Sequence, residues 1–501
     1  MSGISSVTFA ALLVISLVAC AGKTVIPVPV AATTLTKSAL MSASAPSMDN
    51  KVTLQQSTIN WNTYRYELSR DNTIAEGSFD GVTIIQRTFT SWILENKYLR
   101  VTLVPEFGGR IISIIYKPTG HEELYQNPVG VPYLIDIDIF YYRWLMIYGG
   151  IFPTFPEPEH GKTWLLPWEF QIVKNTDEEV IVCMHMKDDI DNPSAPDQYN
   201  VGATGIEAAF YVTLKAGRAA VDTAIELKNP NAKSVAYEYW TNTGLAPGSA
   251  PLDPRTTDKA EIIVPIEKVK IPDCWKAIAS RETATGEREI YYFEKLRHYV
   301  NWTDPGIAYP YPNMMSQNFW GIINHGNEEG IFRIADNNIT PGLKIWTFGY
   351  PLSSTLDPYT TTDCNRPFIE MWAGVTREFW SRARFPANHQ FTIEESYSPS
   401  VGLANVTHAN KNFLVNLYVE ETSVVNFQLF SINPDQPVNV LLTLGETTLY
   451  NSRITPDPQK GNQISVELPA NSNDDSLMLV IEDMDGTELF RGSIPVKRQS
   501  K

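Results

Sequence analysis

Glu370 is the side chain in this sequence best placed to do chemistry. It stands in Phe368-Ile369-Glu370-Met371-Trp372, one carboxylate among large apolar residues. Burying such an acid is costly unless it is paired or used. A second apolar segment, Leu343-Lys344-Ile345-Trp346-Thr347-Phe348-Gly349, precedes it across a polar loop. Trp346 and Trp372 offer flat faces on which a sugar ring can stack, with Glu370 as the acid-base group beside them. Desolvation by the indoles should raise the Glu370 pKa, which suits proton transfer near neutrality.

Four other segments carry candidate groups. In Glu106-Phe107-Gly108-Gly109-Arg110 two glycines allow a sharp turn, and Arg110 can aim its fork at a polar ligand or make a structural salt bridge. The stretch from Gly149 to Trp164 is rich in Pro and Gly and reads as a long ordered loop. It holds His160, a candidate general acid, with Glu157 or Glu159 to orient it; the plainer reading is a solvated acidic loop. In Tyr237-Glu238-Tyr239-Trp240-Thr241-Asn242-Thr243, Asn242 offers donor and acceptor to hydroxyl groups, while Trp240 is equally a core residue. His325, in Asn324-His325-Gly326, sits at a strand-end turn, where capping or packing is the commoner role.

No P-loop, no GxGxxG after a strand, no GxSxG and no HExxH occurs, which removes the commonest nucleotide, hydrolase-elbow and zincin readings. No acidic run has the spacing of a calcium loop, and no CxxC or Cys/His cluster suggests zinc, so no metal or cofactor is expected. Cys183, Cys274 and Cys364 allow at most one disulfide and read as packing residues.

The elements that must position these groups are strands. The chain has 501 residues, 43% of them hydrophobic and 11% aromatic, enough for two or three folded domains. Its formal net charge of −16, with no basic run, argues against nucleic acid as a partner. Segments such as 98–104 and 209–214 alternate apolar and polar residues, turn residues recur at short intervals, and amphipathic helices are almost absent. That pattern predicts an all-β antiparallel sandwich over 51–405 and a small C-terminal β-sandwich over 406–501 without chemistry of its own.

At the N-terminus, the apolar run from Val7 to Ala19 has signal-peptide length and is too short to span a membrane. Leu17-Val18-Ala19-Cys20 resembles a bacterial lipoprotein signal in which Cys20 is lipidated, and Gly22 favours outer-membrane sorting. Residues 23–50 then read as a tether. The expectation is a cell-envelope protein held to the membrane only by a lipid anchor, with periplasmic or secreted release as the alternative.

Taken together, Glu95 to Ile114, Gly149 to Gly161, Tyr237 to Gly248, Phe319 to Gly349, Phe368 to Gly374 and Glu394 to Asn410 resemble the DUF5107 family of the galactose mutarotase-like superfamily. The resemblance implies a galactose mutarotase-like antiparallel β-supersandwich with a carbohydrate groove. It also implies a Glu acting as base on the anomeric hydroxyl and a His acting as acid toward the ring oxygen. On that pattern Glu370 and His160 are the catalytic pair. His325 stands behind His160, and Arg110, Glu159, Asn242, Trp346 and Trp372 hold the substrate. The chain departs from the pattern at Phe152, where many relatives carry Glu, and at Asn337, where they often carry His.

The leading expectation is an extracytoplasmic protein acting on a sugar or oligosaccharide, by epimerisation or by glycosidic bond cleavage. Hydrolysis would need a second carboxylate roughly 5 to 9.5 Å from the first, for which Glu157, Glu159 and Glu238 are the candidates. The alternative is a non-catalytic glycan-binding lipoprotein.

Overall fold

The computed structural model describes residues 50–67, 75, 77–78, 82–132, 145–146, 149–157, 160–164, 166–191, 202–279, 281–312, 315–350, 366–420, 424–469 and 476–496. The expected lipidation site Cys20, most of the tether, Glu159 and Cys364 lie outside the described residues. Among those described, the longest helical element is a six-residue 3-10 turn, Asp273–Ile278, two shorter 3-10 turns occur at Arg281–Thr283 and Tyr299–Asn301, and the other regular elements are strands. No helix there is long and apolar enough to cross a membrane.

Two large antiparallel-dominated sheets carry the first unit. One has fourteen strands; its central path runs Gly306–Tyr311, Gly342–Thr347, Ile369–Gly374, Trp240–Ser249, His121–Leu124, Arg110–Tyr116 and Leu99–Val104. The short strand Gly150–Thr154 pairs with both Trp240–Ser249 and Arg110–Tyr116. The other sheet has eight strands, from Ala260–Ile263 to Glu169–Asn175.

Period-two alternation explains the packing. Val101, Leu103, Ile111, Ile345 and Ile369 of the first sheet and Val182, Phe210, Val212, Ile225 and Phe332 of the second form one continuous buried cluster. The sheets therefore pack face to face, and hydrophobic burial between them supplies most of the driving force. A buried ion pair also lies in this layer. Arg333 Nε donates to Glu395 Oε1 at 2.6 Å and Arg333 Nη2 to Thr340 Oγ1 at 2.8 Å, with both charges almost fully buried. The sandwich expected from the alternating segments, and the supersandwich implied by the family resemblance, are the architecture observed.

The C-terminal sandwich has two four-stranded sheets and its own core of Phe413, Val415, Phe427, Val440 and Leu479. The alternate residues Leu414 and Phe430 belong instead to the large core. The Tyr116 ring meets Phe430 at 6.1 Å, and the Tyr98 hydroxyl donates to Asp435 Oδ1 at 2.7 Å. The small sandwich is thus docked on the large one through the second face of its own sheet.

Candidate active site on the outer face of the large sheet

Strand register assembles the site. Across the Trp240–Ser249 and Ile369–Gly374 strands, Asn242 faces Trp372 and Gly244 faces Glu370. On the other side of Ile369–Gly374, Lys344 faces Trp372 and Trp346 faces Glu370. Asn242 also faces Phe152 on the Gly150–Thr154 strand, where Ile151 pairs with Ile111 and so sets Arg110 beside Phe152. Residues opposite one another share a face, and alternate residues share it along each strand. Ile111, Ile151, Ile345, Ile369 and Met371 point into the inter-sheet core. Arg110, Phe152, Asn242, Lys344, Trp346, Glu370 and Trp372 consequently occupy the outer face.

Two glycine turns close over that face. Gly108 and Gly109 adopt left-handed φ values of 64° and 62°, and a Cβ on Gly108 would lie 2.1 Å from the Trp164 carbonyl oxygen. Only glycine lets that loop come so near. Gly149, at φ 95°, turns its carbonyl to accept from Arg110 Nη1 at 2.7 Å. Arg110 also donates from Nη2 to Trp164 O at 3.5 Å, and its guanidinium lies 3.7 Å from the Phe152 ring centre.

The charges converge in a dry, aromatic setting. Trp372 Nε1 donates to Glu370 Oε2 at 2.9 Å, and Glu370 is almost fully buried. Burial lowers the Arg110 pKa to about 9, an effect the Glu370 carboxylate opposes. The Lys344 ammonium lies 4.0 Å from the ring centres of both Trp372 and Phe379, a cation–π arrangement in which desolvation strengthens the attraction. The His160 ring lies 4.4 Å from Trp164 and 5.1 Å from Trp372. Burial, then the nearby Lys344 and Arg110 charges, push its pKa well below 6.5. At neutral pH His160 is therefore a neutral hydrogen-bonding imidazole, not an imidazolium acid.

Asn242 is 0% exposed, and neither its amide nitrogen nor its oxygen has a hydrogen-bond partner among the described residues. A buried amide with both ends unmet is costly and rare in a folded protein. Glu238, earlier on the same strand line, is also fully buried. Its Oε2 accepts from Trp240 Nε1 at 3.4 Å and from Trp380 N at 3.2 Å. Burial pushes its pKa up to about 7, with Glu157 adding to the rise and Arg382 opposing it.

Of the residues singled out in the sequence, Arg110, His160, Asn242, Glu370 and Trp372 come together here. Trp346 shares the face one strand over, partly buried, edge-on to Trp275 at 5.3 Å. His325 does not join them. It follows Phe319–Asn324 in the eight-stranded sheet, and its Nε2 lies 2.5 Å from Glu261 Oε2, with Arg297 on the other carboxylate oxygen. That is an ion-pair cluster remote in topology from Glu370. Glu238 lies just before the strand Trp240–Ser249, six residues from Gly244, the residue opposite Glu370, and its carboxylate is held by Trp240 and Trp380. Asn337 donates from Nδ2 to Gln317 O at 2.7 Å, a loop-fixing contact. Lys344 was not anticipated, although its period-two spacing from Trp346 was visible.

Among the described residues no group of three or more His, Cys, Asp or Glu is placed to hold a metal. Cys183 and Cys274 are free thiols.

Fold and site define a two-sheet β-supersandwich with a charged, aromatic-lined outer face. The chain belongs to the DUF5107 family, described as a domain of unknown function, whose model matches residues 77–400. Residues 408–491 match the family described as "YphG-like protein, second domain". Among solved structures, the chain is similar to a TPR-domain-containing protein from Parabacteroides distasonis, at 16% identity and TM-score 0.54, covering 70% of this chain and 55% of that one. This chain thus spans about half the length of that relative. It is also similar to a proposed aldose 1-epimerase from Klebsiella pneumoniae (11% identity, TM-score 0.46, covering 62% of this chain and 79% of that one). A galactose mutarotase-like protein from Clostridium acetobutylicum matches at 10% identity and TM-score 0.41, covering 62% of this chain and 95% of that one.

Proposed function

We propose that this protein binds a sugar on the outer face of the large sheet and that Glu370 performs acid-base chemistry at the anomeric centre. The observation that carries the reading is the Asn242 amide, buried without a partner on the face that also presents Glu370, Lys344 and Trp372. A sugar offers apolar CH faces to the rings and hydroxyl edges to the amide and charges.

In this reading Glu370 takes the proton of the anomeric hydroxyl as the bond from the anomeric carbon to the ring oxygen breaks. The ring oxygen takes a proton from Lys344, because His160 is held neutral and contributes a hydrogen bond instead. The open-chain carbonyl rotates, and the reverse steps close the ring with the opposite configuration. Arg110 acts chiefly through its charge, which favours the ionised form of Glu370. The test is exchange NMR of α- and β-anomers of glucose, galactose, mannose and xylose with the chain from Lys23 onward. Accelerated exchange that falls at least a hundredfold in Glu370→Gln supports the reading; spontaneous rates throughout the panel count against catalysis.

One observation favours plain glycan binding instead. Phe152, where the family resemblance implies Glu, lies under the Arg110 guanidinium. Sugar binding with no turnover would select this reading. Lipid attachment through Cys20 is part of the same proposal; loss of lipid labelling in Cys20→Ser is its test.

A further inference from the structure

A line of aromatic rings leads from Glu370 toward the surface. Trp372, hydrogen-bonded to Glu370, meets Phe379 edge-on at 5.3 Å. Phe379 is buried and also meets Trp240 at 4.8 Å. The next residue, Trp380, lies 6.4 Å from Phe379, centre to centre, and is 40% exposed.

The backbone at Trp380 is unusual. Its φ of 69° places a bulky side chain in the left-handed region, a strained choice that persists only when surrounding structure enforces it and that clusters at ligand-binding sites. A hydrogen bond enforces it: Trp380 N–H donates to the fully buried carboxylate of Glu238 at 3.2 Å. A buried acid thus fixes the conformation that turns an indole outward. A tryptophan serving only as core would be buried with Phe379.

We infer that Trp380 is the stacking platform of a second sugar subsite, so that the ligand is an oligosaccharide or glycan end and not a free monosaccharide. The inference rests on the sugar-binding reading of the Glu370 face. The ring at Glu370 carries the free anomeric centre, and the chain runs past Phe379 to Trp380. The two ring-to-ring steps, 5.3 Å from Trp372 to Phe379 and 6.4 Å from Phe379 to Trp380, bound the separation of the two indoles, so the two subsites are a short oligosaccharide apart. Two or three units therefore span them.

The experiment is calorimetric titration of the chain from Lys23 onward with xylo-, cello-, manno- and galacturono-oligosaccharides of one to six units. It uses native protein, Trp380→Ala and Trp380→Phe, with thermal melts to establish that each variant is folded. In the series that binds, native affinity should rise about tenfold or more between one and three units, the size of one well-placed aromatic contact. Trp380→Ala should lose that gain while binding the monosaccharide within twofold of native, and Trp380→Phe should keep most of it. Length dependence that survives in Trp380→Ala, or native protein that binds one unit as tightly as four, overturns the second subsite and leaves the Glu370 site standing. Failure of native protein to bind any member of any series overturns both.

Discussion

Trp372 Nε1 donates to Glu370 Oε2 over 2.9 Å, between two residues on the same strand whose side chains share one face. The bond orients the acid and removes one of its lone pairs from competition. Trp372→Phe keeps the ring and deletes the donor. Anomer exchange should fall about tenfold with little change in melting temperature, since one hydrogen bond to a charged group is at stake. An unchanged rate would remove Trp372 from the account.

Lys344 is the assigned proton donor. In Lys344→Met the stem still packs between Trp372 and Phe379 but the charge is gone. Turnover should fall by about a hundredfold, within the usual range for loss of a general acid. Stability should fall as well, because the cation–π contacts with Trp372 and Phe379 are lost. Rates and thermal melts on the same preparation separate the two effects.

Glu238 predicts a pH dependence of stability. Its pKa is raised from an ordinary 4.5 to about 7 in the folded protein, chiefly by burial. A raised carboxyl pKa means that the folded state holds its proton where the unfolded state has lost it. The advantage of the protonated fold is complete below about pH 4.5 and is lost as pH rises through 7. Glu238→Gln cannot ionise. Relative to native protein, it should gain stability between pH 5 and pH 8, by roughly 3 kcal/mol at most. Denaturant unfolding at pH 5, 6, 7 and 8 measures this, and a constant offset across that range would contradict it.

Much of the fold was legible because the determining signal is local. Alternating segments such as 98–104 and 209–214 announced strands, and their regularity without intervening helices announced a sandwich. The site was legible in part. Glu370, Asn242 and Trp372 stand out because a polar or stacking residue in an apolar strand needs a reason. Which of them meet is set by register between strands more than a hundred residues apart, as with Asn242 and Trp372, and local pattern carries no such information. Lys344 was overlooked for that reason: a lysine in a strand reads as solvent-facing until its neighbours across the sheet are known. His325 looked eligible only because the sheet to which its strand belongs is a non-local property.

His325 therefore serves as a control. His325→Gln should lower stability by about 1 kcal/mol through loss of its contact with Glu261, while sugar affinity and anomer exchange stay at native values. Loss of binding would show that the His325 cluster communicates with the outer face, contrary to the present account.

The acid-base role of Glu370 is tested most sharply by comparing Glu370→Gln with native protein for both sugar affinity and anomer exchange. Affinity should change by less than about tenfold while exchange drops at least a hundredfold, the signature of a lost acid-base group. Native exchange rates in Glu370→Gln would contradict it.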